Sequence, residues 1–292
     1  MYRKAYGIVH TLAPLHVGAS AGEESGNLNL IFRDQFTQTG VIPGSSIRGR
    51  LRSEMRNASE EEENLWYGSK AQTGVADSTT ESYVKIEYAS VLWLPVFCPG
   101  QPVVWVSCPR LLQRYRRIAG DRLVTQKNSA GTKEEKRLKE IQIPQPGTRS
   151  QTLEPLKIGE SKAEKLFFNY GFLNIDAVED FTPWFPVGGE LPAVIVADNE
   201  IGLIHDMALY RQSRVKLKDD EKRVDGGQFF NMEALPEDTY LVFPIALRKY
   251  VDKEKKEKKW QPFGEQSHGE IYLGGLESIG CGHCHVFLEG VE

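Results

Sequence analysis

The sequence has no apolar run long enough to span a lipid bilayer, and residues 1–10 mix polar and apolar side chains, unlike a signal peptide. Cysteine is scarce, with four in 292 residues, which excludes a disulfide-rich secreted scaffold. Positive charge is not in excess either, because the net charge is −4. We therefore expect a cytoplasmic protein with reduced thiols and no membrane partner, in which any phosphate-binding surface is local.

Two common enzyme signatures are also missing. The segment 44–49 has Arg48 where the G-x-S-x-G motif of hydrolases needs glycine. No glycine-rich stretch ends in Gly-Lys-Ser or Gly-Lys-Thr, so the chain has no P-loop. The sequence therefore indicates neither a hydrolase elbow nor a nucleotide-triphosphate cradle.

A C-x-x-C-H motif is present at residues 281–285, the pattern that attaches haem in exported proteins. A zinc site would need a second ligand pair, and no other C-x-x-C occurs. We interpret Cys281 and Cys284 as small buried side chains at the start of a strand, and we expect no bound cofactor and no resident metal.

The order of hydrophobic patterns predicts an α+β fold, a sheet of the ferredoxin-like type with long insertions. Strands are predicted at 5–12, 28–33, 84–97, 103–107, 193–197, 211–217, 227–231, 239–247, 271–273 and 283–288. Helices are predicted after residue 43, from 109 onward, and at 198–209, the last capped by Asp198. The acidic run 60–63 is expected on a solvated face, the loop 72–82 to be mobile, and the charged segment 127–149 to form an exposed arm.

The stretch 43–52 begins with a Pro-Gly turn and continues as a helix with two stripes. Ile47, Leu51 and Met55 recur every four residues and predict the buried face, while Arg48, Arg52 and Arg56 flank it. Ser45 or Ser46 is expected to cap the helix, and Gly49 to allow the close approach of another backbone. A helix N-terminus with serines and arginines beside it can bind phosphate, but a plain capped surface helix fits the pattern equally well.

Three other features could contact RNA. The loop Gly274–Gly282 offers backbone N–H groups with little bulk, although a tight connection between strands also requires glycine. The hairpin predicted at 209–236 is basic, which suits a nucleic-acid clamp or a merely solvated protrusion. His16 follows the first strand and is either a structural residue, a general base or an RNA contact.

Several of these segments together resemble one family. They are Leu15-His16-Val17-Gly18, residues 43–49 and the loop 274–282, with further similarity at residues 105–112 and 229–236. The chain resembles the RAMP superfamily, specifically the backbone subunits of type III CRISPR effector complexes, and is most similar to the type III-B branch.

The resemblance implies a single domain, 1–292, with a ferredoxin-like, RRM-like palm, a thumb hairpin at 209–236 and an insertion at about 110–170. It implies that copies or paralogous subunits stack along a CRISPR RNA and that each thumb kinks the duplex of guide and target RNA. The expected partners are therefore CRISPR RNA, target RNA and neighbouring RAMP subunits. The RNA-binding residues that it implies are His16, Ser45, Ser46, Arg48, Arg50, Arg52, Arg211, Arg214, Lys216, Gly274, Gly275, Ser278, Gly280 and Gly282.

The chain departs from the family where target RNA is cut. Cleaving members carry an aspartate before the extended run that here ends in Arg33-Asp34, and Leu28 or Asn29 holds that place. Neither side chain is a carboxylate. We therefore expect a guide-binding subunit whose own cleavage site is degenerate. The alternative is a metal-dependent endoribonuclease that uses Glu23 or Glu24, with Mg²⁺ required only in that case.

Overall fold

The computed structural model describes residues 2–18, 28–69, 79–127, 132–157, 164–169, 171–217, 224–251 and 257–291. The strands are β1 Tyr2–Thr11, β2 Leu28–Asn29, β3 Val41–Ile42, β4 Val84–Ile86, β5 Ala89–Cys98, β6 Gln101–Ser107, β7 Leu123–Lys127, β8 Lys133–Arg137, β9 Thr148–Ser150, β10 Leu156–Lys157, β11 Glu164–Phe168, β12 Gly171–Ile175, β13 Ala177–Glu179, β14 Ala193–Ile195, β15 Tyr210–Leu217, β16 Val224–Ala234, β17 Tyr240–Arg248, β18 Tyr250–Val251, β19 Glu257–Lys258, β20 His268–Tyr272 and β21 His283–Glu289. The α-helices are α1 Gly44–Ala58, α2 Glu60–Tyr67, α3 Pro109–Ala119 and α4 Ile201–Ala208, and 3₁₀ turns occur at Leu138–Glu140, Thr182–Trp184 and Glu277–Ile279.

An 11-stranded mixed sheet forms the centre of the fold, in the order β13-β9-β14-β6-β5-β17-β1-β21-β20, with β3 beside β5 and β4 beside β17. Strands β1 and β17 are antiparallel over almost their whole length, from the pair Tyr2 and Arg248 to the pair His10 and Tyr240. The prediction of an α+β fold is confirmed. Among the described residues, no helix is long and apolar enough to cross a membrane.

Strand β5 explains why helices cover both faces of this sheet. Every residue of β5 except Phe97 is buried, and a strand that is buried on both faces needs a packed layer on each side. One core cluster joins the sheet to Ile47, Leu51 and Met55 of α1. A second cluster places Trp93 among residues of α3 and the turn at Thr182–Trp184. The prediction of a buried α1 stripe is confirmed.

Two predictions about helix ends are wrong. Helix α1 begins at Gly44 with Pro43 as its N-cap, and it has no side-chain cap because proline has no side-chain acceptor. Asp198 does not cap α4, whose N-cap is Glu200. Instead its Oδ1 accepts the Arg110 N–H at 2.9 Å and caps the first turn of α3. A capping side chain can serve a helix that is distant in sequence.

The expectation of an exposed arm at 127–149 is wrong in part, since Glu134, Glu135 and Arg137 are exposed but buried residues begin at Leu138. Leu138 and Ile141 are 0% and 4% exposed and pack in the same core cluster as α3. Thr148–Ser150 forms β9 inside the large sheet. Because most neighbouring residues are charged, the sequence pattern does not reveal these few buried positions. Residues 128–131, and most of the loop 72–82, lie outside the described chain.

A separate antiparallel hairpin projects at the predicted position. Strands β15 and β16 pair from Tyr210 and Ala234 to Val215 and Phe229, and the residues that join them, 218–223, lie outside the described chain. Strand β2 adds to β16 in parallel, with Leu28 beside Asn231 and Asn29 beside Met232. The segment expected to carry a catalytic aspartate therefore lies against the hairpin.

Candidate nucleic-acid interface

The first turn of α1 is open to a ligand. Ser45 is exposed and Ser46 half-buried, and the hydroxyl groups of both have no hydrogen-bond partner among the described residues. The N–H groups of Gly44 and Ser45 belong to the first turn, where a helix has no acceptor of its own. Gly44 is required for the position of this turn, since a Cβ there would lie 2.5 Å from the Ile86 carbonyl oxygen. The helix thus starts rigidly against β4 and leaves polar groups uncommitted.

The loop Gly274–Gly282 lies opposite this turn and is fixed by tight backbone contacts. Gly274 has a φ of +81°, and a Cβ there would lie 2.2 Å from the His16 carbonyl oxygen. Gly275 donates its N–H to that oxygen at 2.9 Å, and Gly282 donates to the Pro14 carbonyl at 2.9 Å. The loop was expected to offer many backbone N–H groups, and several of them are instead bonded within the chain. Only those of Gly274, Leu276, Glu277 and Ser278 lack an acceptor among the described residues.

A cleft of about 410 Å³ separates the two elements. It is lined by Val17, Gly18, Phe32, Ser45, Ser46, Gly49, Arg50, Ser53, Tyr272, Leu273, Gly274, Gly275 and Glu277. Gly49 borders this cleft rather than another backbone, since no described atom beyond its own stretch of α1 lies within 4 Å of the position that its Cβ would occupy. The expectation of a close backbone approach at Gly49 is wrong, and the missing side chain instead keeps the cleft open.

Of the three α1 arginines expected to bind RNA, which are Arg48, Arg50 and Arg52, only Arg50 lines this cleft. Arg50 lines it, pairs with Glu54 of the next turn, and has a buried Nε without a hydrogen-bond partner. Arg48 turns away and donates to the Tyr67 carbonyl at 2.6 Å, with its guanidinium over the Tyr67 ring. Arg52 also turns away and donates to the Gly68 carbonyl at 3.0 Å. These two side chains hold the C-terminal end of α2 in the isolated chain.

Glu63 explains the direction of the arginine stripe. It is 2% exposed, so the expectation of a solvated acidic face fails at this residue, although Glu60 and Glu61 are exposed. Its carboxylate accepts hydrogen bonds from Arg52 and from Arg56, the latter at 2.8 Å. The hydrogen bond from Arg56 outweighs the effect of burial and, with Arg52, lowers the pKa of Glu63 to about 2. The stripe is therefore an ion-pair network between α1 and α2.

His16 connects the elements around the cleft. Its Nδ1 lies 2.6 Å from the Glu233 carbonyl oxygen. Because a carbonyl can only accept, the Nδ1 atom donates a proton in this contact. The side chain is 7% exposed, and its backbone carbonyl accepts the Gly275 N–H. His16 thus ties the hairpin and the glycine loop to the first loop, which favours the structural interpretation.

The predicted basic hairpin is held by ion pairs at its base. Arg211 contacts Asp206 at 2.8 Å and Glu233 at 3.2 Å, and Arg33 bridges the same two carboxylates. Although partial burial alone would raise it, hydrogen bonds from Arg211 and Arg33 lower the pKa of Asp206. Arg214 reaches the glycine loop and donates to the Ile279 carbonyl at 3.2 Å. Lys216 belongs to β15, but its side chain is outside the described part.

The C-x-x-C-H motif does not form an accessible site. Cys281 and Cys284 are 2% and 0% exposed, and burial raises the pKa of Cys284 to about 12. His283 pairs with Glu270 at 3.0 Å, and His285 with His268 at 3.1 Å. Among the described residues, no three His, Cys, Asp or Glu side chains are grouped so that they could hold a metal ion. Glu23 and Glu24 lie outside the described chain, and Asn29 is half-buried.

One sequence signal for the cleft was missed. Ser45, Gly49 and Ser53 recur every four residues, a third stripe of small residues that faces the cleft. Tyr272 and Phe32, which also line it, carry no local pattern that separates them from core residues. Their position follows only from the pairing of distant strands.

The comparisons with known proteins agree with this architecture. The family model of the RAMP superfamily matches residues 8–285, so the chain belongs to the RAMP superfamily. A comparison with curated protein sequences found no match.

Solved structures with the same fold come from type III-B complexes. The first is described as type III-B Cmr-beta bound to cognate target RNA (TM-score 0.68, 16% identity, 98% of this chain and 96% of that chain covered). Another is the apo state of type III-B Cmr-beta (TM-score 0.64, 16% identity, 98% and 97% covered). A third is oligomeric Cmr4 from Pyrococcus furiosus (TM-score 0.61, 17% identity, 99% of both chains covered). At these identities the likeness shows the fold.

Proposed function

We propose that this chain is a backbone subunit of a type III CRISPR effector complex, most similar to the type III-B branch, and that it binds the CRISPR RNA. The observation that carries this proposal is the cleft between the first turn of α1 and the loop Gly274–Gly282. Both walls present backbone N–H groups that have no acceptor in the described part of the chain, and Ser45 and Ser46 add hydroxyl groups. Such groups suit phosphate oxygens, which carry no sequence information. A subunit that holds many different guides needs contacts of this kind.

Charge in the cleft is balanced rather than strongly positive. Among the described residues, Arg50 is the only cation that lines it, and Glu277 lies on the opposite wall. Binding there relies on backbone dipoles and hydroxyl groups as well as on Arg50. Of the other implied contacts, Gly274 and Gly275 line the cleft, whereas Ser278, Arg48 and Arg52 do not.

The finer parts of the proposal concern the shape of the complex. The large sheet with α1 and α3 is proposed as a ferredoxin-like palm, and the hairpin at 209–236 as the thumb that kinks the duplex of guide and target RNA. The similarity of fold to a Cmr-beta structure bound to target RNA and to an oligomeric Cmr4 supports target RNA and neighbouring RAMP subunits as partners. A cytoplasmic location follows from the same proposal.

We further propose that the subunit does not cut target RNA and needs no cofactor. Asn29 lies beside the hairpin and has an amide side chain instead of a carboxylate. An amide oxygen lacks the charge that favours Mg²⁺ binding. The test is an assembled complex, containing this chain, its neighbouring subunits and guide RNA, incubated with complementary RNA and Mg²⁺. Guide RNA should co-purify, and target RNA should stay intact opposite this subunit.

The alternative predicts a different result in the same assay. Target cleavage opposite this subunit that disappears when Glu23 and Glu24 are both replaced by alanine would contradict the degenerate site and identify an endoribonuclease. A complex that assembles without guide RNA would contradict the binding role itself.

A further inference from the structure

A second surface, away from the cleft, also combines positive charge with aromatic rings. It is a groove of about 780 Å³ beside α3, and none of its lining residues lines the cleft. Its cationic residues are Arg110, Arg114, Arg116, Arg117 and Lys139. Phe36 and Tyr88 line the same groove and are 74% and 38% exposed. We name this surface the α3 groove.

The two acidic residues in the α3 groove are occupied by backbone groups. Asp34 Oδ1 accepts the N–H groups of Phe36 and Thr37 at 3.0 and 2.8 Å. Although partial burial raises it, these bonds lower the pKa of Asp34, so the residue stays ionised but internally bonded. Asp198 caps α3. Lys139 is paired with Asp121 outside the groove at 2.6 Å, so four arginines face two carboxylates and leave the groove positive in a chain whose net charge is −4.

The arginines are arranged around the aromatic rings. The guanidinium carbon of Arg110 lies 5.1 Å from the centre of the Phe36 ring, and that of Arg114 lies 4.1 Å from the centre of Tyr88. Arg114 is fixed there by bonds to Ser90 Oγ at 2.8 Å and the Tyr88 carbonyl at 3.1 Å. Arg110 and Arg117 are exposed and have no ion pair among the described residues. Arg114 is thus held in place by hydrogen bonds, while the charges of the neighbouring Arg110 and Arg117 are not paired with a carboxylate there.

We propose that the α3 groove binds single-stranded RNA, as a second contact beyond the proposed guide-binding cleft. Arg110, Arg114 and Arg117 lie one turn apart along α3 and extend over about 10 Å, which spans roughly three phosphates of a stacked strand. The exposed ring of Phe36 offers a base a face for stacking. An acidic protein segment would use the arginines but would leave Phe36 without a partner, so RNA fits the surface better.

The experiment measures the affinity of the full-length chain for a fluorescent, unstructured single-stranded RNA at several salt concentrations. The double variant Arg110→Gln/Arg117→Gln should weaken binding and reduce the slope of log K against log salt by about 1.4, since each single-strand phosphate contact contributes about 0.7. Phe36→Ala should weaken binding roughly 5- to 150-fold with an unchanged slope, because stacking releases no counterions. The change in slope therefore distinguishes contacts to phosphate from stacking on a base.

A matched control exists elsewhere in the chain. Lys165 lies 5.8 Å from the ring centre of Phe172, which is 58% exposed, and Lys165→Gln and Phe172→Ala should leave binding unchanged. Equal losses in the control pair, or no change in the groove variants, would overturn the proposal. A poly-glutamate peptide that binds through Arg110 and Arg117 while RNA affinity stays the same would also overturn it. If Gly49→Glu abolishes RNA binding and the variants of the α3 groove do not weaken it, the proposed cleft is supported and the proposal for the groove is rejected.

Discussion

Replacing Gly274 with alanine should lower the free energy of unfolding by at least about 2 kcal/mol and abolish RNA binding at temperatures where the wild type binds. A non-glycine residue at φ +81° is strained. Its Cβ would also lie 2.2 Å from the His16 carbonyl oxygen, which is backbone and cannot move aside cheaply. The loop would have to detach from His16. Denaturant unfolding and RNA binding, measured on the same sample, check this expectation.

The neighbouring residue supplies the control. A Cβ at Gly275 would have the His16 ring carbon as its nearest atom, 3.9 Å away, and the backbone of Gly275 is outside the left-handed region. Gly275→Ala should therefore change stability by no more than about 0.5 kcal/mol. Equal losses at the two positions would contradict the role assigned to the His16 contact.

Replacing Glu63 with glutamine should lower the free energy of unfolding by about 3 kcal/mol at neutral pH. The substitution removes the charge that compensates Arg52, which is 14% exposed, and Arg56. A buried cation left without its partner is strongly destabilising. Glu61→Gln, an exposed change on the same helix, should have almost no effect. Chemical denaturation of the three proteins measures the difference.

The difference in stability between the wild type and Glu63→Gln should depend on pH. The pKa of Glu63 in the folded chain is about 2, below the ordinary value of 4.5. Its stabilising contribution is therefore complete above pH 4.5 and is lost as the pH falls toward 2. The stability gap between wild type and Glu63→Gln should close over that interval. A gap that stays constant down to pH 2 would contradict the ion-pair network.

The sequence predicts well the features that depend on local periodicity. The buried stripe of α1 and the strands at 103–107, 239–247 and 283–288 are found within about two residues of their predicted limits. Glycines of the terminal loop were also expected at a tight connection. In each case one periodicity or one residue type determines the structure.

The features that were wrong depend on contacts between distant segments. The Arg48 and Arg52 side chains could face solvent or α2, and only the fold brings Tyr67, Gly68 and Glu63 beside them. Asp198 caps α3 because β14 lies next to β6, which leads into that helix. A local pattern contains no information about such partners.

The central claim is that RNA lies in the cleft along Ser45, Gly49 and Ser53. The most direct measurement compares the RNA affinity of the wild type with those of Gly49→Glu and Ala58→Glu, both at exposed positions of α1. Both add the same charge to one helix. Glutamate forms helices better than glycine and only slightly less well than alanine, so the fold is kept. If the claim is right, Gly49→Glu weakens binding at least about tenfold by like-charge repulsion, and Ala58→Glu does not. Equal affinity of the two variants would contradict it.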